Sequence, residues 1–119
     1  KGQYIHINMD DVFECNSWKL ESKTSEVILY LAQYNSEHYR QKWDLPAELT
    51  QPKIAEALGV VRSNISRYLS DLEDRGFIER HIKHILYESR KRSTYLLSPK
   101  GMRAYHILKA RKNALPTVQ

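Results

Sequence analysis

Two helical periodicities meeting at Gly59-Val60-Val61, with a β-rich stretch close behind, leave few folds open to this chain. Thr50 is a good N-cap, and Pro52 inside the first turn removes no needed backbone donor. Ile54, Ala55 and Leu58 then share one helical face, and Gly59 offers the positive φ that stops a helix. Ala55 is small, as it must be where a second helix crosses closely, and Val60 is expected to pack behind the corner. Ile65, Leu69 and Leu72 make the next apolar stripe at helical spacing, with Gly76 as terminator. The opposite face of this second helix carries Arg62, Ser63, Asn64, Arg67, Tyr68 and Asp71. Two amphipathic helices joined at a glycine also occur in any small bundle, so the decision falls to the segment that follows.

Phe77 to Tyr87 is dense in β-branched and aromatic residues, with Ile78, Ile82 and Leu86 expected mostly on one face of a strand. Glu88 to Ser93 reads as a polar hairpin tip and Thr94 to Leu97 as the return strand. Ser98 then caps a helix with Pro99 at its first position. Upstream, Thr24 to Glu37 reads as one helix burying Val27, Ile28, Leu31 and Tyr34, with Ser22, Thr24 or Ser25 as its cap. Ser36 to Glu48 reads as a linker whose aromatics, Tyr39 and Trp43, cover the core edge. Residues 4–15 alternate weakly through Ile5, Ile7 and Met9, which suits a short strand or extended arm. The sum is an α+β winged helix-turn-helix: a three-helix core, a two-stranded β wing and a C-terminal helix. The expected organisation is an N-terminal arm over 1–23, the winged helix over 24–113 and a tail over 114–119.

Residues 24–111 resemble the MarR-type winged helix family of transcriptional regulators. The matching segments are Ile54-Ala-Glu-Ala-Leu-Gly-Val60, Ser63-Asn-Ile-Ser-Arg67, Leu72-Glu-Asp-Arg-Gly-Phe-Ile78 and Leu97-Ser-Pro-Lys-Gly101. Val61 departs from the pattern, standing where such families usually have a Ser or Thr cap, which predicts a recognition helix starting a residue or two later. The stretch before Thr24 is also not the long dimerisation helix of a full MarR-type protein. The resemblance implies a homodimer on a palindromic site, with segments outside the winged helix forming the interface. The arm around Ile5 and Ile7 and the stripe Met102, Tyr105, Leu108 on the last helix are the candidates.

Charge agrees with an anionic partner. The 119 residues carry a net +5, unevenly: residues 1–88 hold 11 Lys/Arg against 14 Asp/Glu, whereas residues 89–119 hold eight Lys/Arg and no acid. The positive charge therefore sits on the wing and the last helix. At this length there is room for one domain with one modest core. The single Cys15 excludes an internal disulfide, and no apolar run reaches membrane-spanning length. The chain starts at Lys1 without Met, as a processed chain or a fragment would. The five histidines are scattered, and His81 and His84 point to opposite faces of a strand, so they cannot chelate one ion together. No phosphate-cradling glycine loop or nucleophile elbow is present, so neither an enzyme nor a cofactor site is expected.

The residues point to a double-stranded DNA-binding transcriptional regulator, in the cytoplasm or on the nucleoid. Its recognition helix is expected over about 62–75 in the major groove, and its wing tip, 88–93, on backbone or minor groove. Arg62, Ser63, Asn64, Arg67 and Tyr68 would face the major groove, where Arg and Asn suit bidentate readout of guanine and adenine edges. Arg90, Lys91 and Arg92 would reach phosphates or the minor groove, and Thr50 with Gln51 at a helix N-terminus would hold a phosphate. The competing reading is a winged helix that binds protein as an adaptor in a larger assembly. RNA binding would call for more aromatics on an open sheet than Tyr87 and Tyr95. The operator, the sign of regulation and any effector ligand are not written in the sequence.

Overall fold

The computed structural model describes residues 18–114, with side chains through residue 110. The expected arm around Ile5 and Ile7, Cys15 and the last five residues lie outside that range. Among the described residues, five helices and three strands follow in order: α1 (Ser22–Leu31), α2 (Ser36–Arg40), β1 (Asp44–Leu45), a 3-10 turn (Ala47–Leu49), α3 (Gln51–Leu58), α4 (Arg62–Asp74), β2 (Ile78–Ile85), β3 (Lys91–Leu97) and α5 (Pro99–Ala114). This is the α+β winged helix the sequence calls for, with differences upstream of α3 and in the wing.

The helix expected over Thr24 to Glu37 is two helices. Backbone bonds from Gln33 N–H to Tyr30 O and from Tyr34 N–H to Leu31 O tighten the end of α1 into a turn. The Asn35 side chain then accepts from His38 N–H at 3.1 Å and starts α2, a cap that leaves no continuous helix. None of Ser22, Thr24 or Ser25 is the cap of α1. Glu21 occupies that position, and Thr24 donates its hydroxyl to Glu21 O at 2.8 Å. The expected linker, Ser36 to Glu48, holds α2, β1 and the 3-10 turn. Buried Ser36 accepts the Leu97 N–H at 3.1 Å, which fastens α2 to the end of β3.

β1 adds a third strand, parallel to β2 with Leu45 opposite Ile85, and β2 runs antiparallel to β3 from Ile78↔Leu97 to His84↔Lys91. The wing tip is therefore shorter than the expected 88–93: Lys91, Arg92 and Ser93 belong to β3. The expected shared face of Ile78, Ile82 and Leu86 is only half right. Ile78 is buried under α4, while Ile82 and Leu86 are exposed because the hairpin runs out past the core. Trp43 likewise covers no core; it is 71% exposed.

One apolar core joins Val27, Ile28 and Leu31 of α1 to Ile54, Ile65, Leu69 and Leu72 of α3 and α4, closed below by Phe77 and Leu96. A buried Leu or Ile contributes about 1.5–3 kcal/mol over its exposed state, so this stripe pairing fixes how α4 is presented. α5 begins as expected, with Ser98 Oγ accepting Gly101 N–H at 3.0 Å. Met102, Tyr105 and Leu108 are half-buried against the same core.

Candidate nucleic-acid interface

The turn between α3 and α4 is built as its residues require. Gly59 sits at φ 65°, and Val60 N–H returns to Ala55 O at 2.9 Å, closing the end of α3. Val61 holds the cap position of α4 with extended backbone and no side-chain cap bond, and the helix begins directly at Arg62. The missing cap hydroxyl thus removes a bond without delaying the helix, contrary to the later start expected from Val61.

With Ile65, Leu69 and Leu72 buried, the turn of 100° per residue divides the rest of α4 into three zones. Ser63, Arg67, Ser70 and Asp74 point straight away from the core, and all four are exposed. Arg62, Ser66 and Glu73 form the flank beside the wing, since Glu73 pairs with Arg80 of β2 at 3.7 Å. Asn64, Tyr68 and Asp71 form the other flank. There the segment before α1 lies alongside: Arg67 meets Glu21 at 4.0 Å, Arg75 bonds Asp71 at 3.1 Å and also donates to Trp18 O. Tyr68 is half-buried and lines a small hollow of about 180 Å3 with Lys19, Glu21 and Thr24. The Arg67 guanidinium lies 4.7 Å from the Tyr68 ring centroid, so both lean to this flank. Arg62 is exposed and makes no ion pair among the described residues. Ser66 and Ser70, three and seven residues after Ser63, are exposed on α4 as well, and their helical spacing is the sequence signal for them.

Thr50 does not fit the expected phosphate role. It is 1% exposed, its hydroxyl donates to Ala47 O at 2.6 Å, and its backbone bridges Thr94. The residue locks the start of α3 to β3 and has nothing free for a ligand; neighbouring Gln51 is half-buried.

The three wing cations differ. Arg90 is exposed in the tip with no ion pair among the described residues. Lys91 sits 5.8 Å above the Trp43 ring, and Arg92 pairs with Glu88 at 3.6 Å. On the face that continues from Arg80 come Ile82 and then His84, whose ring stacks on Trp43 at 5.5 Å. On the other face Glu79 accepts from Arg40 at 2.9 Å and faces His81 Nε2 at 3.0 Å. Burial pushes the Glu79 carboxyl up, but the bonds from His81 and Arg40 outweigh it and hold the group below its ordinary value. Burial pushes the phenol of Tyr95 upward, with Arg80 opposing and Glu73 adding. His81 and His84 lie on opposite faces, and no group of three or more His, Cys, Asp or Glu among the described residues is arranged to hold a metal. No helix among them is long and apolar enough to cross a membrane.

Residues 23–104 match the family of the Crp-like helix-turn-helix domain. No curated protein matches the chain by sequence. Among solved structures, the MepR–DNA complex of S. aureus superposes with a TM-score of 0.64 at 18% identity, over 86% of this chain and 72% of MepR. A MarR family transcription regulator gives 0.63 at 21% identity, over 84% of this chain and 56% of that one. The transcriptional regulator SlyA gives 0.60 at 22%, over 84% and 59%. This chain thus spans less than two thirds of the latter two proteins' length, and 64% of the chain in another MepR structure. At these identities the likeness is one of fold. The MarR-type resemblance therefore holds for the winged helix, while the sequence match is to the Crp-like domain.

Proposed function

Because the chain belongs to the Crp-like helix-turn-helix domain family, we propose that it reads duplex DNA sequence-specifically as the binding module of a transcriptional regulator. The observation that carries this reading is the outer surface of α4. Ser63, Ser66, Arg67 and Ser70 are all exposed and small or cationic, Arg62 at the helix start makes no ion pair among the described residues, and the acid of the outward face, Asp74, lies at its far end. Such a face buries nothing against protein, yet it fits a major groove about 12 Å wide that offers hydrogen-bond donors and acceptors. Arg62, Ser63, Asn64 and Arg67 would read base edges, with Arg67 first leaving Glu21. Tyr68 would support Arg67 from the side. Arg90 would meet phosphate or the minor groove, with Lys91 adding long-range attraction and Arg92, paired with Glu88, adding little. That S. aureus MepR was crystallised with DNA supports the same use of the fold.

A homodimer on a palindromic site extends the proposal, with the α5 stripe and residues before α1 as its surfaces. A single winged helix reads only a few base pairs, so two copies at fixed spacing raise specificity. The working compartment is then wherever the chromosome lies. One observation favours the adaptor reading instead: exposed Trp43 and Ile82 on the wing face, which a purely DNA-binding wing does not need. Selection from random duplexes separates the two. Enrichment of a short motif supports DNA reading, its symmetry reports the dimer, and a pool that stays random sinks the proposal.

A further inference from the structure

The wing turns at Ile85-Leu86-Tyr87-Glu88, a four-residue turn closed by Glu88 N–H to Ile85 O at 2.9 Å. Tyr87 is its third residue and sits at φ 68°, the left-handed region. A turn with positive φ at that position takes Gly or Asn, because a Cβ there crowds the backbone. Tyrosine is a poor choice for folding such a turn, and nothing in the structure repays it. Its side chain is 101% exposed, and no ring contact or hydrogen bond holds it among the described residues. The turn itself is secured elsewhere, by Leu86 N–H to Leu45 O at 2.9 Å. A strained, unsupported aromatic at the apex of a firmly held hairpin points to a role outside the fold.

The surroundings say what it meets. Ser89 and Arg90 beside it are exposed, and the one acid of the tip, Glu88, is neutralised by Arg92 at 3.6 Å. An aromatic ring flanked by an open cation and no free carboxylate suits a narrow slot with apolar sugar walls and anionic rims. The minor groove of a duplex is such a slot, about 6 Å wide, which admits one ring and excludes a helix. Resting on the duplex reading proposed above, we infer that Tyr87 is the wing's minor-groove wedge. Its ring packs on the sugar walls and leans into a base step, while Arg90 holds the adjoining phosphate. Apolar side chains inserted in this way unstack flexible pyrimidine–purine steps most readily, so Tyr87 would select such a step under the wing without any base-edge hydrogen bond.

The test compares wild-type chain, Tyr87→Gly and Tyr87→Phe on two duplexes that share the selected motif. One carries a TpA step under the wing and the other an ApA run, with 2-aminopurine at the step. Wild type and Tyr87→Phe should prefer the TpA duplex and raise its 2-aminopurine fluorescence. Tyr87→Gly should melt no lower than wild type, since strain is removed, yet bind the TpA duplex roughly tenfold more weakly, the loss of about one aromatic–base contact, with the fluorescence rise abolished. Equal affinity and an equal fluorescence rise for Tyr87→Gly would overturn the inference. So would a melting point several degrees lower, which would make Tyr87 a folding residue. A wild-type chain that retains no duplex at all would remove the DNA reading itself, a result distinct from either.

Discussion

Gly101→Ala is a substitution for which helix propensity and packing predict opposite signs. Gly101 is the third residue of α5, and a glycine inside a helix costs roughly 0.5–1 kcal/mol relative to alanine. Local propensity alone therefore predicts a stabilised variant. The structure predicts the reverse. A Cβ at Gly101 overlaps the carbonyl oxygen of Phe77 and lies 3.0 Å from Leu97 Cδ2 and 3.1 Å from Phe77 C. Two of these three atoms are backbone, and that backbone is held by three bonds. Phe77 N–H reaches Leu72 O at 2.9 Å, Ser98 N–H reaches Phe77 O at 3.1 Å, and Ser98 Oγ donates to Gly76 O at 2.5 Å. To admit the methyl, α5 must lift off the α4–β2 junction and strain this cluster.

Overpacking costs about 1–3 kcal/mol, and weakening one or two hydrogen bonds adds about 1 kcal/mol each. Set against a propensity gain of at most about 1 kcal/mol, the net loss is about 2–4 kcal/mol. For a domain of this size that is a fall in Tm of roughly 8–20 °C, read by circular dichroism and by the urea midpoint. Gly59→Ala is the matched control. It has φ 65° but nothing within 4 Å of the new Cβ, so it should lose only about 1 kcal/mol through backbone strain. A Gly101→Ala protein that melts at or above the wild-type temperature would refute the reasoning, showing that α5 can back away freely.

Three further outcomes are expected. Arg62→Ala should weaken specific binding by about 1–3 kcal/mol and relax preference at one base position, measured by anisotropy on the selected and a scrambled duplex; equal loss on both would reduce Arg62 to a phosphate contact. Arg90→Ala should lower the salt slope of log K by roughly 0.9, while Arg92→Ala, whose charge is spent on Glu88, should change it much less. Glu79→Gln should cost about 1 kcal/mol at neutral pH. The folded Glu79 carboxyl lies below its ordinary value of 4.5, so its contribution is full above that value and fades as pH falls through the lower, folded one. The two proteins' melting temperatures should therefore converge in acid, and a constant gap down to pH 3 would contradict the Arg40–Glu79–His81 account.

The parts of the molecule legible in the sequence are those where one local rule dominates. Gly59 with the stripes Ile54, Ile65, Leu69 and Leu72 specifies the helix-turn-helix, and Ser98-Pro99 specifies the start of α5, because periodicity and capping act over a few residues. The break at Asn35 was hidden, since Tyr34 continues the apolar period of α1 and the competing signal is one side-chain cap. β1 was hidden because two residues carry no strand pattern, and its partner lies some 40 residues on in β2. Ile82 was misplaced because alternation says which residues share a face, not where the core beneath that face ends. Thr50 illustrates the same limit. Its residue type suits a helix cap, but only the packing of α3 on β3 shows its hydroxyl to be buried and spent.

In the proposed complex the outer face of α4 and the tip of the wing lie against duplex DNA. Amide chemical-shift mapping of this 119-residue chain, titrated with its selected duplex, tests that most directly. The expected perturbations fall on Gln51, on Arg62 through Ser70 and on Leu86 through Arg90, with Glu21 shifting as Arg67 leaves it. Perturbations confined to Trp43, Ile82 and His84, with α4 silent, would contradict the account and make the wing face the working surface.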